Sequence, residues 1–119
     1  MKVEFDIKWH LGALKRVLVM LSSPAEKQVA MMETHDIPLS MSADFDCHFL
    51  HIRQDYMASG LLSPEQFEAL DRVDAYFKET ADCLKEDEFD AFWEDREQLF
   101  THPNWEHLRV LTGDCLSLM

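Results

Sequence analysis

The sequence predicts an all-α fold, a single-domain bundle of five or six helices over residues 1–119. Three observations predict it. Apolar residues recur at three- and four-residue spacing along most of the chain, the period of a helix with one buried face. Only three Gly and four Pro interrupt it, so elements should be long and connections short. Proline follows Ser23, Ser63 and His102, each time where a helix would begin, because the first helical turn does not need the N–H that proline lacks. With 47% apolar residues and 11% aromatics, a chain of this length can close one hydrophobic core.

The elements follow in order. Val3, Phe5, Ile7 and Trp9 alternate with Glu4, Asp6 and Lys8, a period of two that by itself suggests a strand. Leu11, Leu14, Leu18 and Leu21 then continue at helical spacing, and no second strand exists to take up the first one's hydrogen bonds. A helix over most of 5–21 is therefore favoured, with a short strand over 3–9 as the alternative. Ser23-Pro24-Ala25-Glu26 reads as a capped start for a helix over 24–34. A loop over 34–42 leads to Ser42 as the cap of a helix over 43–59, striped by Phe45, Phe49, Ile52 and Tyr56 and ended by Gly60. Ser63-Pro64-Glu65-Gln66 opens a helix to about 84 that buries Phe67, Leu70, Phe77, Ala81 and Leu84. A further helix spans 86–100. The last starts at His102-Pro103 and carries Trp105, Leu108, Thr112 and Cys115 inward to about 118.

The net charge of −12 is unevenly placed. Residues 63–97 hold thirteen Asp and Glu against four Lys and Arg, which leaves only −3 for the rest. Such a field repels nucleic acid and anionic lipid and speeds encounter with basic partners. No apolar run approaches the roughly 18–20 residues of a membrane span. MKVEFDIKWH lacks the layout of a secretory signal, so a cytoplasmic location is expected. Three widely spaced cysteines, Cys47, Cys83 and Cys115, form no disulfide framework and are read as small core residues.

On a helical wheel, Glu86, Asp90, Glu94 and Glu97 share one face of 86–100, bordered by Asp87. Phe89, Phe92, Trp93, Leu99 and Phe100 share another, with Trp93 at its edge. Like charges one turn apart destabilise a helix slightly, and a face kept only for solubility usually mixes in lysine. The preceding helix extends the acidic pattern through Asp71, Glu79 and Asp82. The expected partner-binding residues are accordingly Glu79, Asp82, Glu86, Asp87, Asp90, Glu94 and Glu97, with Trp93 as an apolar anchor among them.

Other chemistries are poorly supported. A general acid–base pair needs carboxyls set in a concave site at separate pKa values, which an exposed face does not offer. There is no calcium loop of the D-x-D-x-D-G kind and no glycine within 61–112. Cys47 and His51 are one turn apart with His35 and His48 nearby, but zinc needs three or four converging ligands. No nucleophile motif or phosphate loop is present. The chain is therefore read as non-enzymatic, with no cofactor and no metal. Asp74 and Arg53 fall near apolar arcs, where a charge needs a partner. Asp74 is expected to pair with Arg53 or with Arg109.

The acidic helix with Phe92-Trp93 and the closing run of Pro103, Trp105, Leu108 and Arg109 resemble the small acidic helical immunity proteins of bacterial polymorphic and contact-dependent toxin systems. The likeness is one of style over about half the chain, without a shared motif, so no family's binding residues carry over. It implies inhibition of one cognate toxin, such as a basic nuclease whose cleft the acidic face would block. The competing class is a helical assembly subunit. Such a subunit would associate through methionine-rich faces (Met20, Met31, Met32, Met41, Met57) or through the apolar stretch 3–21. A third class is a metal- or ligand-binding enzyme.

Overall fold

Leu14, Leu18 and Leu21, all but completely buried, decide the N-terminal segment in favour of a helix. In a computed structural model, which describes the backbone of residues 2–119 and side chains from Ile7 onward, α1 runs unbroken over Lys2–Ser22. Its own backbone supplies the hydrogen bonds that a lone strand over 3–9 would have lacked. The strand alternative is thereby excluded, while the Val3 and Phe5 side chains lie outside the described residues. The chain continues through α2 (Ala25–Met31), α3 (Pro38–His48), a 3-10 turn (Leu50–Ile52), α4 (Arg53–Ser59), α5 (Pro64–Cys83), α6 (Glu86–Glu94), α7 (Gln98–Thr101) and α8 (Pro103–Ser117). Every regular element among the described residues is helical. α1 packs on α8 and α3, and α8 packs in turn on α5.

The proline starts behave differently from one another. Ser63 caps α5 as expected: its hydroxyl accepts from Gln66 N, and Gln66 Oε1 accepts from Ser63 N at 2.8 Å. His102 caps α8, its Nδ1 accepting from Asn104 N at 3.1 Å. Ser23 does not cap α2, where Pro24 takes the cap position with no side-chain hydrogen bond. The Ser23 hydroxyl instead donates to Val19 O at 2.6 Å, closing the end of α1.

Two expected helices are divided. The segment expected to run over 43–59 begins earlier, at Pro38, where Ser40 Oγ accepts from Ile37 N. It then breaks at Phe49, whose φ of −126° and ψ of −65° leave the helix. Ser42, expected to be a cap, lies buried inside α3. The break lets Phe45, Phe49 and Tyr56 all reach the core, and the Tyr56 hydroxyl donates to His48 O at 2.7 Å. Gly60 ends α4 in the left-handed region at φ 70°, as its lack of a Cβ allows.

The helix expected over 86–100 ends at Glu94. Asp95 is extended, and its side chain accepts from Glu97 N at 2.9 Å, a local turn that competes with the helix. Arg96 turns to the α2–α3 connection and donates to the carbonyls of Glu33 and Asp36.

The predicted pairing of Asp74 is corrected. Asp74 is buried on α5, but its partner is Lys78 one turn on, at 2.9 Å. Arg53 reaches α5 one turn earlier and forks onto both oxygens of Asp71, at 2.9 and 2.6 Å. Neither expected partner, Arg53 or Arg109, bonds Asp74. A second carboxyl, Asp46 of α3, lies near Asp74, and burial followed by the Asp74 charge raises its pKa. Arg109 lies elsewhere, on Gln28 Oε1 and Leu99 O.

Candidate functional site

The acidic face forms at the junction of α5 and α6. Glu79 and Asp82 near the end of α5, and Glu86, Asp87, Asp90 and Glu94 along α6, are all exposed. Glu97 is exposed too, but the break at Asp95 takes it off the α6 face, so the expected four-residue strip is a strip of three. Glu88 is held at the start of α6, where its Oε1 accepts from Lys85 N at 3.0 Å and its Oε2 lies 3.8 Å from His102 Nε2.

Trp93 departs from expectation. It is only 7% exposed and sits edge-on to Phe92 and Trp105, with ring centroids 4.8 and 6.0 Å away. It belongs to the core and cannot be an exposed anchor. Helical spacing could not reveal this, because the edge position of Trp93 is covered by residues from other elements. The exposed apolar groups beside the acids are Phe89, 38% exposed, and Leu39 of α3, 43% exposed. Leu39, Ala81 of α5, Phe89 and the Trp93 ring line a cleft of about 300 Å³ whose other two residues are Asp90 and Glu94. Leu39 was missed because its segment reads as loop, whereas Pro38 in fact opens α3.

A wider groove of about 740 Å³ lies between α4 and α5, lined by Arg53, Met57, Phe67, Glu68, Asp71 and Arg72 among others. Its charges balance one another. Arg53 is held by Asp71 and lies 5.3 Å from the Phe67 ring centre, and Arg72 bonds Glu68 at 2.7 Å. This groove offers no charge preference to a ligand. Among the methionines, Met32 and Met41 are buried in the core, whereas Met31 and Met57 are exposed.

A histidine pair joins α1 to α3. His10 Nδ1 and His48 Nδ1 are 2.9 Å apart, and Trp9 packs edge-on against both rings. One shared proton makes this contact a hydrogen bond, whereas two protons place like charges together. Burial, then the His10 charge, lowers the His48 pKa, with Arg16 acting the same way and Asp44 opposing. A lowered folded pKa means that the unfolded chain binds the extra proton first. This contribution to stability is complete above the ordinary value of 6.5 and is lost as pH falls through the folded value. Thermal melts from about pH 7.5 to about pH 5.5 should show the midpoint falling, with a shallower fall in His48→Leu. Parallel slopes would clear the pair of any part in the acid response.

Among the described residues, no group of three His, Cys, Asp or Glu side chains could hold a metal ion. Cys47 and His51 are both exposed. Cys83 is exposed as well, against the expectation of core cysteines. Cys115 is buried, and burial pushes its thiol up to about 11. No helix among the described residues is long and apolar enough to cross a membrane. Comparison with family models, with curated proteins and with solved structures found no significant match to this chain.

Proposed function

We propose that this chain is a non-enzymatic protein-binding domain that holds a basic partner on the acidic face of α5 and α6. The observation that carries the reading is the cleft walled by Leu39, Ala81 and Phe89 and edged by Asp90 and Glu94. It combines the two features of a protein-docking centre, an apolar depression and a charged surround. The surround lies within the segment that concentrates nine of the twelve net negative charges. Carboxylates so placed steer a basic protein into contact, and the exposed Phe89 and Leu39 side chains gain by being covered. The specific form of the proposal is an immunity protein, acting in the cytoplasm. It would occupy the phosphate-binding cleft of a basic nuclease toxin and so exclude the substrate.

The test begins with a partner captured on the immobilised chain and then purified. Association of that partner should slow as salt rises. Asp90→Lys combined with Glu94→Lys should slow it by about tenfold or more at low salt and flatten the salt dependence. Both positions are exposed on α6, and Glu94 lies in its last turn, where a cation suits the helix dipole. The variant should therefore unfold within about 0.5 kcal/mol of the parent. Unchanged association in a folded variant would dismiss the acidic face as the binding surface. The immunity form further requires that co-expression protect a cell from the toxin encoded beside this chain.

A further inference from the structure

The cleft beside α6 is narrower than a site for a cofactor or a folded peptide. At about 300 Å³ it stands at the lower limit of ligand pockets, a size suited to one side chain. Its walls are an aliphatic group (Leu39), a methyl (Ala81) and two aromatic rings (Phe89 and Trp93), and its remaining lining residues are two acids. Asp90 and Glu94 are one helical turn apart on the same face, so their Cβ atoms stand about 5–6 Å from one another. Apolar walls closed by two carboxylates complement one cationic side chain with an apolar stem. Trp93 Nε1–H is buried and has no hydrogen-bond acceptor, whereas nearly all buried donors have one. Trp105, by contrast, gives its Nε1–H to Phe92 O at 3.1 Å.

We infer that this cleft is the subsite for a single arginine side chain of a basic protein partner. The inference rests on the protein-binding reading above and names the group that reading leaves unspecified. The arginine's methylene stem lies along Leu39 and Ala81, and its planar guanidinium packs on the aromatic wall. Its five N–H donors span two carboxylates a turn apart, which a lysine ammonium, with its compact charge, cannot do as well.

The experiment follows amide and indole resonances of the isotopically labelled full chain during titration with acetyl-Gly-Ala-Arg-Ala-Gly-amide. Counterparts carrying lysine, or citrulline as the uncharged isostere, are titrated in parallel. The arginine peptide should shift the Trp93 indole signal and the amides of Phe89, Asp90 and Glu94 saturably, and leave the Trp105 indole still. Citrulline, or Asp90→Asn with Glu94→Gln in the protein, should weaken binding about tenfold. Both substitutions fall on exposed residues, and the unmoved Trp105 signal reports that the fold is intact. Equal binding of the citrulline or the lysine peptide would overturn the arginine subsite. So would shifts confined to Glu79, Asp82 and Glu86 with Trp93 silent, although the acidic face would then stand as a binding surface. No response at any acidic residue would overturn the arginine subsite and, if the charge-reversed variant also captures its partner normally, the protein-binding reading with it.

Discussion

Trp105→Ala is expected to lower the unfolding free energy by about 3–5 kcal/mol, the usual cost of removing a large buried aromatic ring. Trp105 is fully buried. It stacks on Phe92 at 4.9 Å with the rings 11° apart, and meets Phe77 and Trp93 edge-on at 6.3 and 6.0 Å. The ring also makes a polar contact, because its Nε1–H satisfies the carbonyl of Phe92 within α6. Trp105→Phe separates the two contributions. It keeps much of the stack and strands the carbonyl, at a cost of about 1–3 kcal/mol. Denaturant titration of the parent and both variants, with the slope held constant, measures the difference. Equal losses in the two variants would mean that the hydrogen bond, and not the packing, is what Trp105 contributes. The consequence reaches the surface, since Trp93, a wall of the acidic cleft, rests against Trp105. A protein weakened at this position should lose the cleft's shape before it loses its helices.

The residues that make the fold legible are those whose burial is set by spacing within one element. Leu14, Leu18 and Leu21 mark α1, Phe45, Phe49 and Tyr56 mark the α3–α4 stripe, and Trp105, Leu108, Thr112 and Cys115 mark α8. All are buried as their spacing implies. Ser63, Gln66 and Gly60 are equally readable, because caps act within a few residues of themselves. What cannot be read depends on contacts between distant segments. At Asp95 a local turn ends the helix, but Arg96 then bonds carbonyls some sixty residues away. The burial of Trp93 needs Trp105 and Phe77 beside it. The acidic face is visible as composition, but its centre is not. Leu39 reaches the cleft only because α3 packs against α6, and nothing near Leu39 in the chain announces that. Two polar residues do carry a long-range signal. Gln28 shares the stripe of Ala25, Val29 and Met32, and Arg109 shares that of Trp105, Leu108 and Thr112. A polar residue on each of two apolar stripes is a reason to look for a bond between them.

That bond is the basis of the second large effect, in which Gln28→Leu and Arg109→Met each destabilise the fold by about 2–4 kcal/mol. Gln28 is fully buried, and its amide nitrogen donates to Met20 O and Leu21 O, both at 3.1 Å. It thereby closes two of the carbonyls that every helix leaves open at its C-terminus. Its amide oxygen accepts from Arg109 Nε and Nη2 at 3.3 and 3.1 Å, and Nη2 also donates to Leu99 O. One side chain pair therefore ties the end of α1 and α2 to α7 and α8. Burial lowers the Arg109 pKa, with only Glu106 acting against it, so the cation gains little from being charged where it is. Its value lies in the geometry of its donors. Four variants, the two singles, their combination and Arg109→Lys, test that geometry by denaturant titration. If the network acts as a unit, the double variant should cost less than the sum of the singles by about 0.5–3 kcal/mol. Arg109→Lys keeps the charge but loses the fork, so it should fall close to Arg109→Met. A lysine variant as stable as the parent would show that charge, and not the shared geometry of Gln28, Arg109 and Leu99, holds these helices together.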